Sequence, residues 1–200
     1  MRKLDPKRTA VVGLHWQHEA VSPDGIFGPL FAEQVSRHHV ATYAARVSAA
    51  ARSSGGLVIY TRVAYRPGYP DLIPNTPTFA MIPEQQAYLE GTPKTRIIDE
   101  VAPKAGDVII THARLTGFFG TELDTVLRGR GIETLLFTGV ATNISVTGTA
   151  FEAINHGYRI VIVADACTAA TDDAHQAGLA TLGLLGEVAS TDDVIGALAG

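Results

Sequence analysis

Three polar residues of kinds that carry out hydrolysis follow apolar runs typical of buried strands. His15 follows TAVVGL, His112 ends DVIITH, and Ser145 lies shortly after TLLFTG. An imidazole takes or gives a proton near neutral pH, and a hydroxyl attacks a carbonyl carbon once a base removes its proton. Ser145 also stands near a helix start, where free N–H groups favour a developing negative charge, although serine is common there without a catalytic role. These residues predict a hydrolytic site if the fold brings them together.

Apolar strand-like runs alternate with helical stretches along the chain. The predicted strands are 9–14, 56–63, 107–112, 134–139, 159–165 and a weaker run at 187–190. The predicted helices are 31–54, 120–131, 144–157 and 172–186. The first predicted helix, 31–54, is expected to be continuous, with His38 and His39 on its exposed side. Gly131 and Gly157 end two helices just before the next strand.

This alternation of strand and helix predicts the fold class. Nearly continuous apolar strands are typical of a parallel sheet buried on both faces. We therefore expect an α/β protein of three layers, α/β/α, with a six-stranded, mostly parallel sheet of Rossmann-type topology. Ligands bind such sheets at the carboxyl ends of the strands, where the strand order reverses. That edge is where His15, His112 and Ser145 are expected to converge.

The interval from Tyr65 to Gly106 interrupts the pattern. It is rich in proline and aromatic residues and is longer than an ordinary connection, so we expect a lid or a subunit-contact segment. The length and the hydrophobic content of 46% suit one domain over residues 1–200.

Composition argues against several functional classes. The net charge is −4 and like charges do not cluster, so nothing predicts binding to nucleic acid or to an anionic membrane. We found neither a signal peptide nor an apolar run long enough to span a bilayer, and so expect a cytoplasmic protein. The one cysteine, Cys167, cannot form an internal disulfide and reads as a small buried residue. No G-x-G-x-x-G fingerprint is present, and no cofactor is expected.

The segment FFGTELDTVLRGRGIETLLFTGVATN, followed by ISVTGTA, resembles the isochorismatase-like hydrolases, also called the cysteine hydrolase family. The resemblance extends from the first strand to Ala170 and is densest after Ile97. It implies a six-stranded parallel sheet, a homo-oligomer (dimer or tetramer), and hydrolysis of a small amide, imide or vinyl ether.

The resemblance also implies which residues form the site. Amidase members use an Asp-Lys-Cys triad, and the matching positions here hold His15, His112 and Ser145. The family's turn before the nucleophile carries a cis peptide, expected here between Val140 and Ala141, which directs the N–H groups of Ala141 and Ser145 toward an oxyanion. Some members bind a metal after the second strand; that stretch lacks the ligands here, so no metal is expected.

The residues leave four hypotheses open. Ser145 could be a nucleophile activated by His15 or His112. His15 could instead protonate a vinyl ether as an imidazolium, with Glu19 or Asp165 as a partner.

A third hypothesis is metal binding by His15, His18, His112 and Glu19. The fourth is a catalytically silent family member that binds a small molecule or acts as a subunit, with its site filled by side chains. We favour a hydrolase acting on a small organic molecule (an amide, imide, ester or vinyl ether) through the altered His/His/Ser site.

Further residues near the strand ends are predicted to shape this site. Trp16, Gln17 and Phe118 are the candidates for the substrate pocket, and for Trp16 and Phe118 core packing is an equal alternative. Arg114 and Thr121 are expected to brace the loop after the third strand.

Overall fold

The computed structural model describes residues 1–199 and contains a six-stranded parallel sheet. The strands are β1 (Thr9–Leu14), β2 (Leu57–Val63), β3 (Val108–His112), β4 (Thr134–Val140), β5 (Arg159–Thr168) and β6 (Glu187–Ala189). Their order is β3-β2-β1-β4-β5-β6, and every neighbouring pair is parallel. The predicted α/β fold class is confirmed.

Helices cover both faces of the sheet. They are α1 (His18–Val21), α2 (Gly28–Arg37), α3 (Val40–Ser53), α4 (Pro77–Glu84), α5 (Leu123–Gly129), α6 (Thr147–Asn155), α7 (Asp172–Gly183) and α8 (Thr191–Ala199). Short 3₁₀ turns lie at Pro6–Arg8, Pro93–Thr95 and Asp99–Val101. Among residues 1–199, no helix combines the length and apolarity that crossing a bilayer requires.

The side-chain alternation of the strands divides the core into two layers. Val11 and Leu136 pack on one face with α3 and α8, while Val12, Leu135 and Phe137 pack on the other with α5, α6 and α7. Strands buried on both faces explain why the sequence shows continuous apolar runs instead of alternation.

The first predicted helix is wrong as a continuous element. Residues 31–54 instead belong to α2 and α3, which are separated at His38 and His39. His39 has a left-handed backbone (φ 53°), which an α-helix cannot accommodate. His38 follows α2 and pairs with Asp172.

The segment 65–106 packs against the end of the sheet and contains α4. Its residues Tyr65, Phe79, Ile82 and Tyr88 form a small third core together with Val63 of β2. A role in subunit contact stays a prediction.

The strand order reverses between β1 and β4. From β1 the chain proceeds outward to β2 and β3, then returns to the other side for β4, β5 and β6. Helices on opposite faces diverge at such a point and leave a crevice at the carboxyl ends of the two strands. His15 follows β1, and the turn that carries Ser145 follows β4.

Candidate active site

The chain leaves β1 through a special backbone conformation at His15. This residue has φ 54°, in the left-handed region, and its N–H donates to the carbonyl of Thr61 in β2. Conformations of this kind in residues other than glycine concentrate at functional sites. The turn directs the His15 ring away from the line of the strand.

β4 approaches β1 closely just before its own turn. Gly139 has φ 118°, and a Cβ built there would lie 2.1 Å from the carbonyl oxygen of Leu14. Only glycine fits this position. The peptide bond from Val140 to Ala141 is cis, as the family resemblance implied.

Ser145 lies in a single turn of π-helix, Thr142–Val146, that precedes α6. Its side chain is buried, with 6% of its surface exposed. Within residues 1–199 the N–H of Ala141 makes no hydrogen bond to another backbone group. Helix α7 supports the turn from outside, because the Thr142 hydroxyl lies 2.8 Å from Nδ1 of His175.

The rings of His15 and His112 meet in the interior. Their Nε2 atoms are 3.1 Å apart, and both side chains are buried. Nδ1 of His112 lies 2.8 Å from the carbonyl oxygen of Arg114, which can only accept a hydrogen bond. Nδ1 of His112 therefore carries its proton, so its Nε2 accepts the hydrogen of His15 Nε2. In this tautomer Nδ1 of His15 carries no proton and can act as a base, and once protonated it can donate to the Val140 carbonyl.

The surroundings of the two rings favour their neutral forms. Burial lowers the pKa of His15 to about 3 and the nearby His112 adds to this effect, whereas the Val140 carbonyl, which accepts a hydrogen bond from the protonated ring, opposes it. Burial likewise lowers the pKa of His112 to about 4, opposed by its hydrogen bond to the Arg114 carbonyl. Both imidazoles are therefore uncharged at neutral pH.

His15 and Ser145 line one cavity of about 150 Å3. Ala141 also faces it, whereas His112 contacts His15 from behind and does not line it. The other walls are mainly apolar and come from α2, the segment 65–106 and the turns after β3 and β4. They include Phe27, Leu30, Phe31, Val63, Phe79, Ile82, Tyr88, Leu115, Val140 and Ile144.

In the described chain, the hydroxyl of Ser145 has no hydrogen bond to either imidazole. Catalytic hydrogen bonds are often long in an enzyme without substrate and shorten when substrate binds. The site therefore offers a hydroxyl, a neutral base in the same cavity, a second imidazole that sets the tautomer of the base, and the N–H of Ala141, which is unpaired within residues 1–199.

Trp16, Gln17 and Phe118, predicted to form the pocket, do not line this cavity. Trp16 is buried in the core, where its indole N–H donates to Thr138. Phe118 packs into the opposite core layer and stacks on Tyr158. Proximity in sequence to His15 and His112 was misleading, because successive residues after a strand point in different directions.

The side chain of Gln17 connects two backbone segments through hydrogen bonds. Its Nε2 donates to the carbonyls of Val63 and Thr95 at 2.7 and 2.8 Å, and its Oε1 accepts from the N–H of Val63 at 2.7 Å. The amide thus joins the end of β2 to the segment 65–106, and no part of the residue is exposed.

The carboxylates considered as partners of His15 are engaged elsewhere. Glu19 accepts from the backbone N–H groups of Ile26 and Tyr88, and Asp165 accepts from the N–H and hydroxyl of Thr191 at the start of α8. Neither Glu19 nor Asp165 is therefore available to stabilise a His15 imidazolium, which weighs against the vinyl-ether hypothesis.

The metal hypothesis lacks a third ligand in the described residues. No group of three or more His, Cys, Asp or Glu side chains there has an arrangement suited to a metal ion. His18 bonds instead to the hydroxyl of Ser22 at 2.8 Å.

The remaining predicted residues near the loop have distinct places. Thr121 donates to the Gly117 carbonyl and accepts from the Leu123 N–H, within the loop it was expected to brace. Arg114 bonds to the segment 65–106 and also lines the cavity. Cys167 is buried, which raises the pKa of its thiol.

Sequence reasoning missed most of the cavity walls. Phe27, Leu30 and Phe31 of the α2 region and Phe79 and Ile82 of α4 carry no motif. The one signal for them was the unusual length of the proline-rich segment, which indicated an added element without showing what it covers.

Comparison with known proteins agrees with this architecture. Residues 9–193 match the isochorismatase domain. The chain therefore belongs to the isochorismatase family of hydrolases, as the resemblance implied.

Curated relatives extend over nearly the whole chain. A ureidoacrylate amidohydrolase, RutB, from Methylobacterium radiotolerans is 30% identical over 96% of this chain and 81% of that protein. RutB from Pseudomonas savastanoi pv. phaseolicola is 32% identical over 96% of this chain and 84% of its own length.

Solved structures share the fold. A cysteine hydrolase from Pseudomonas syringae pv. phaseolicola superposes with a TM-score of 0.89 at 25% identity, covering 100% of this chain and 96% of that one. N-carbamoylsarcosine amidase from Thermoplasma acidophilum gives a TM-score of 0.72 at 26% identity, covering 92% and 97%.

Proposed function

We propose that this protein hydrolyses a small amide, imide or ester by acyl transfer through Ser145. The observation that carries the proposal is the contact between Nε2 of His112 and Nε2 of His15, which favours an unprotonated Nδ1 on His15, a residue that lines the same cavity as Ser145. The amidohydrolase names of the curated relatives favour a C–N bond as the one broken.

In the proposed reaction, the Ser145 oxygen bonds to the carbonyl carbon while its proton passes to Nδ1 of His15. The carbonyl electron pair moves to the oxygen, which the N–H groups of Ala141 and Ser145 stabilise. When this intermediate collapses, the C–N or C–O bond breaks and the leaving group takes the proton from His15. Water then hydrolyses the acyl-serine by the same steps.

His112 is a positioning residue in this scheme. It accepts the Nε2 hydrogen of His15 and so holds the tautomer in which Nδ1 is the base, the task that a carboxylate performs in a Ser-His-Asp triad. A neutral imidazole does this without adding charge. The imidazolium formed at His15 is stabilised by the Val140 carbonyl and by the oxyanion.

The cavity also bears on the alternative of a silent family member. That hypothesis predicted a site filled by side chains, whereas an open volume of about 150 Å3 lies beside Ser145. Binding without turnover would still be compatible with an open cavity, so activity must be measured directly.

The test is hydrolysis of a panel of small aromatic amides, imides and nitrophenyl esters by the wild type and by Ser145→Ala. We expect the substitution to lower kcat by at least about a thousandfold, since it removes the nucleophile. The matched control is Asn143→Ala, an exposed position in the same turn, which should keep activity. Mass spectrometry of acid-quenched enzyme should find the acyl group on Ser145.

Two outcomes would overturn the proposal. Turnover by Ser145→Ala within about threefold of the wild type would exclude the nucleophile and favour addition of water. No turnover by the wild type on any member of the panel would favour the binding-protein alternative.

The pH profile separates base catalysis from acid catalysis at His15. With the pKa of His15 lowered to about 3, the base form is retained throughout the neutral and mildly acidic range. We therefore expect kcat/KM to stay level from pH of about 8 to about 5, instead of falling near the ordinary histidine value of about 6.5. A rate that rises steadily as the pH falls would indicate an imidazolium acid.

A further inference from the structure

The cavity beside Ser145 has one cationic side chain among its lining residues. Its walls are mostly aromatic and aliphatic, and His15, the other basic group there, is held neutral by burial. Arg114 is half-buried, and its side chain ends in a cationic guanidinium. Its guanidinium therefore supplies the positive charge in an otherwise apolar pocket.

The guanidinium is held in place by groups that leave its charge uncompensated. Its Nη1 donates to the Ile73 carbonyl at 3.0 Å, and its Nη2 donates to Oδ1 of Asn75 at 2.9 Å. The guanidinium carbon lies 4.4 Å from the centre of the Phe79 ring. None of these partners is an anion.

Arg114 differs in this respect from other partly buried arginines of the chain. Arg52 pairs with Asp107 and Arg62 with Glu90, each through a carboxylate. Arg114 has no carboxylate within ion-pair distance in residues 1–199. Asp71, which lies in the segment 65–106, forms an ion pair with Arg66 instead.

From this arrangement we infer that Arg114 binds the anionic group of the substrate. The inference rests on the proposed function and narrows its substrate class. A guanidinium has five N–H donors, of which the contacts to Ile73 and Asn75 use two, so donors remain for a carboxylate.

The size and polarity of the cavity define the rest of the ligand. Its volume of about 150 Å3 matches that of cavities that admit benzene, about 150 Å3. The apolar walls suit a ring or a short hydrocarbon body. The substrate class is thus a small carboxylate with an apolar body and an acyl group that reaches Ser145.

Binding of benzoate and of benzamide, measured by isothermal titration calorimetry, tests this inference. The two probes have nearly the same shape and differ in charge. We expect the wild type to bind benzoate at least about tenfold more tightly than benzamide, because the carboxylate forms charge-assisted hydrogen bonds with Arg114.

Substitutions assign the preference to Arg114. Arg114→Gln should abolish the preference for benzoate while benzamide binding stays, which also shows that the cavity remains intact. Arg114→Lys keeps the charge but loses the planar fork, so an intermediate preference is expected. The control is Arg66→Gln, an exposed arginine paired with Asp71 that does not line the cavity.

Three outcomes would overturn the inference: equal binding of the two probes by the wild type, an unchanged preference in Arg114→Gln, or no binding of either probe. The inference and the proposed function can fail separately. Ser145→Ala should bind benzoate as the wild type does, so a benzoate preference without turnover would support the anion site and reject the hydrolytic mechanism.

Discussion

Two regions at the end of β1, only two residues apart in sequence, use buried polar groups in opposite ways. Gln17 makes hydrogen bonds with the backbone of Val63 and Thr95 through both ends of its amide. His15 bonds to another ring, His112, and borders a cavity. Burial alone does not distinguish the two residues, because both side chains are buried.

The difference lies in spare hydrogen-bonding capacity. Both N–H groups and the oxygen of the Gln17 amide are hydrogen-bonded to backbone groups, so the side chain stabilises the scaffold and has no donor left for a ligand. In the neutral histidine pair, Nδ1 of His15 keeps a lone pair available for a proton. A buried polar group is thus a candidate for chemistry when its partners leave one atom free beside a cavity. Glu19 belongs with Gln17 by this criterion, since both of its oxygens accept backbone N–H groups.

Replacing Gln17 should have the largest effect on stability. Gln17→Ala leaves a buried N–H and two carbonyls unsatisfied, which should lower the free energy of unfolding by about 3–5 kcal/mol. Urea denaturation measures this. The matched control is Gln34→Ala, whose Oε1 has no partner in the described chain and whose loss should cost under about 1 kcal/mol. A Gln17→Ala variant that keeps its stability but loses activity would contradict the purely structural role assigned to Gln17.

The histidine pair should make stability depend on pH, with a smaller effect. Both pKa values are lowered on folding, so protons bind preferentially to the unfolded chain between the ordinary value of about 6.5 and the folded values of about 3 and 4. The stability contributed by the neutral rings is complete above pH of about 6.5 and is lost as the pH falls below it. From pH of about 7 to about 5 we expect a loss of about 2 kcal/mol for each histidine.

Urea denaturation of the wild type and of His112→Gln at those two pH values tests this dependence. The variant removes one titrating ring and reduces the charge repulsion on the other, so its stability should change less with pH. An identical pH dependence in the two proteins would mean that the pair does not titrate as a buried unit.

The smallest effect is expected at Glu19. Glu19→Gln keeps one acceptor oxygen but turns an N–H donor toward a backbone N–H, so the free energy of unfolding should fall by about 1 kcal/mol, or about 2–4 °C in Tm. Thermal unfolding followed by circular dichroism measures the shift. The control is Glu33→Gln, at an exposed position of α2. A large loss of hydrolytic activity without a change in Tm would show that Glu19 contributes to the active site and not only to stability.

Much of the architecture was predictable from the sequence for a physical reason. Strands buried on both faces must be apolar at consecutive positions, so the runs of the four central strands β1, β2, β4 and β5 stood out, and β1 has the bounds expected for it. The ends of β5 were less clear, because its pairing with β4 is irregular between Phe137 and Gly139 and the strand continues to Thr168. The break at His38–His39 was missed because a left-handed residue other than glycine has no reliable sequence signal.

The sequence by itself determined which residues with catalytic chemistry leave the carboxyl edge of the sheet. The order of apolar runs and helices implies that topology, and the topology brings His15 and the Ser145 turn to neighbouring strands. The family resemblance added the cis peptide at Val140–Ala141, which the structure contains.

Only the tertiary structure decided what these residues touch. His112 ends β3 and His15 follows β1, and β2 lies between these two strands. The sequence therefore does not show that the His112 ring contacts His15 instead of lining the cavity. The left-handed turn at His15 directs one ring, and the Arg114 carbonyl orients the other. Periodicity specifies the face on which a side chain lies, whereas contacts between side-chain tips depend on turn dihedrals and on segments distant in sequence. For the same reason Trp16, next to His15 in sequence, packs in the core, and Gln17 hydrogen-bonds to the backbone. Arg114, by contrast, lines the cavity.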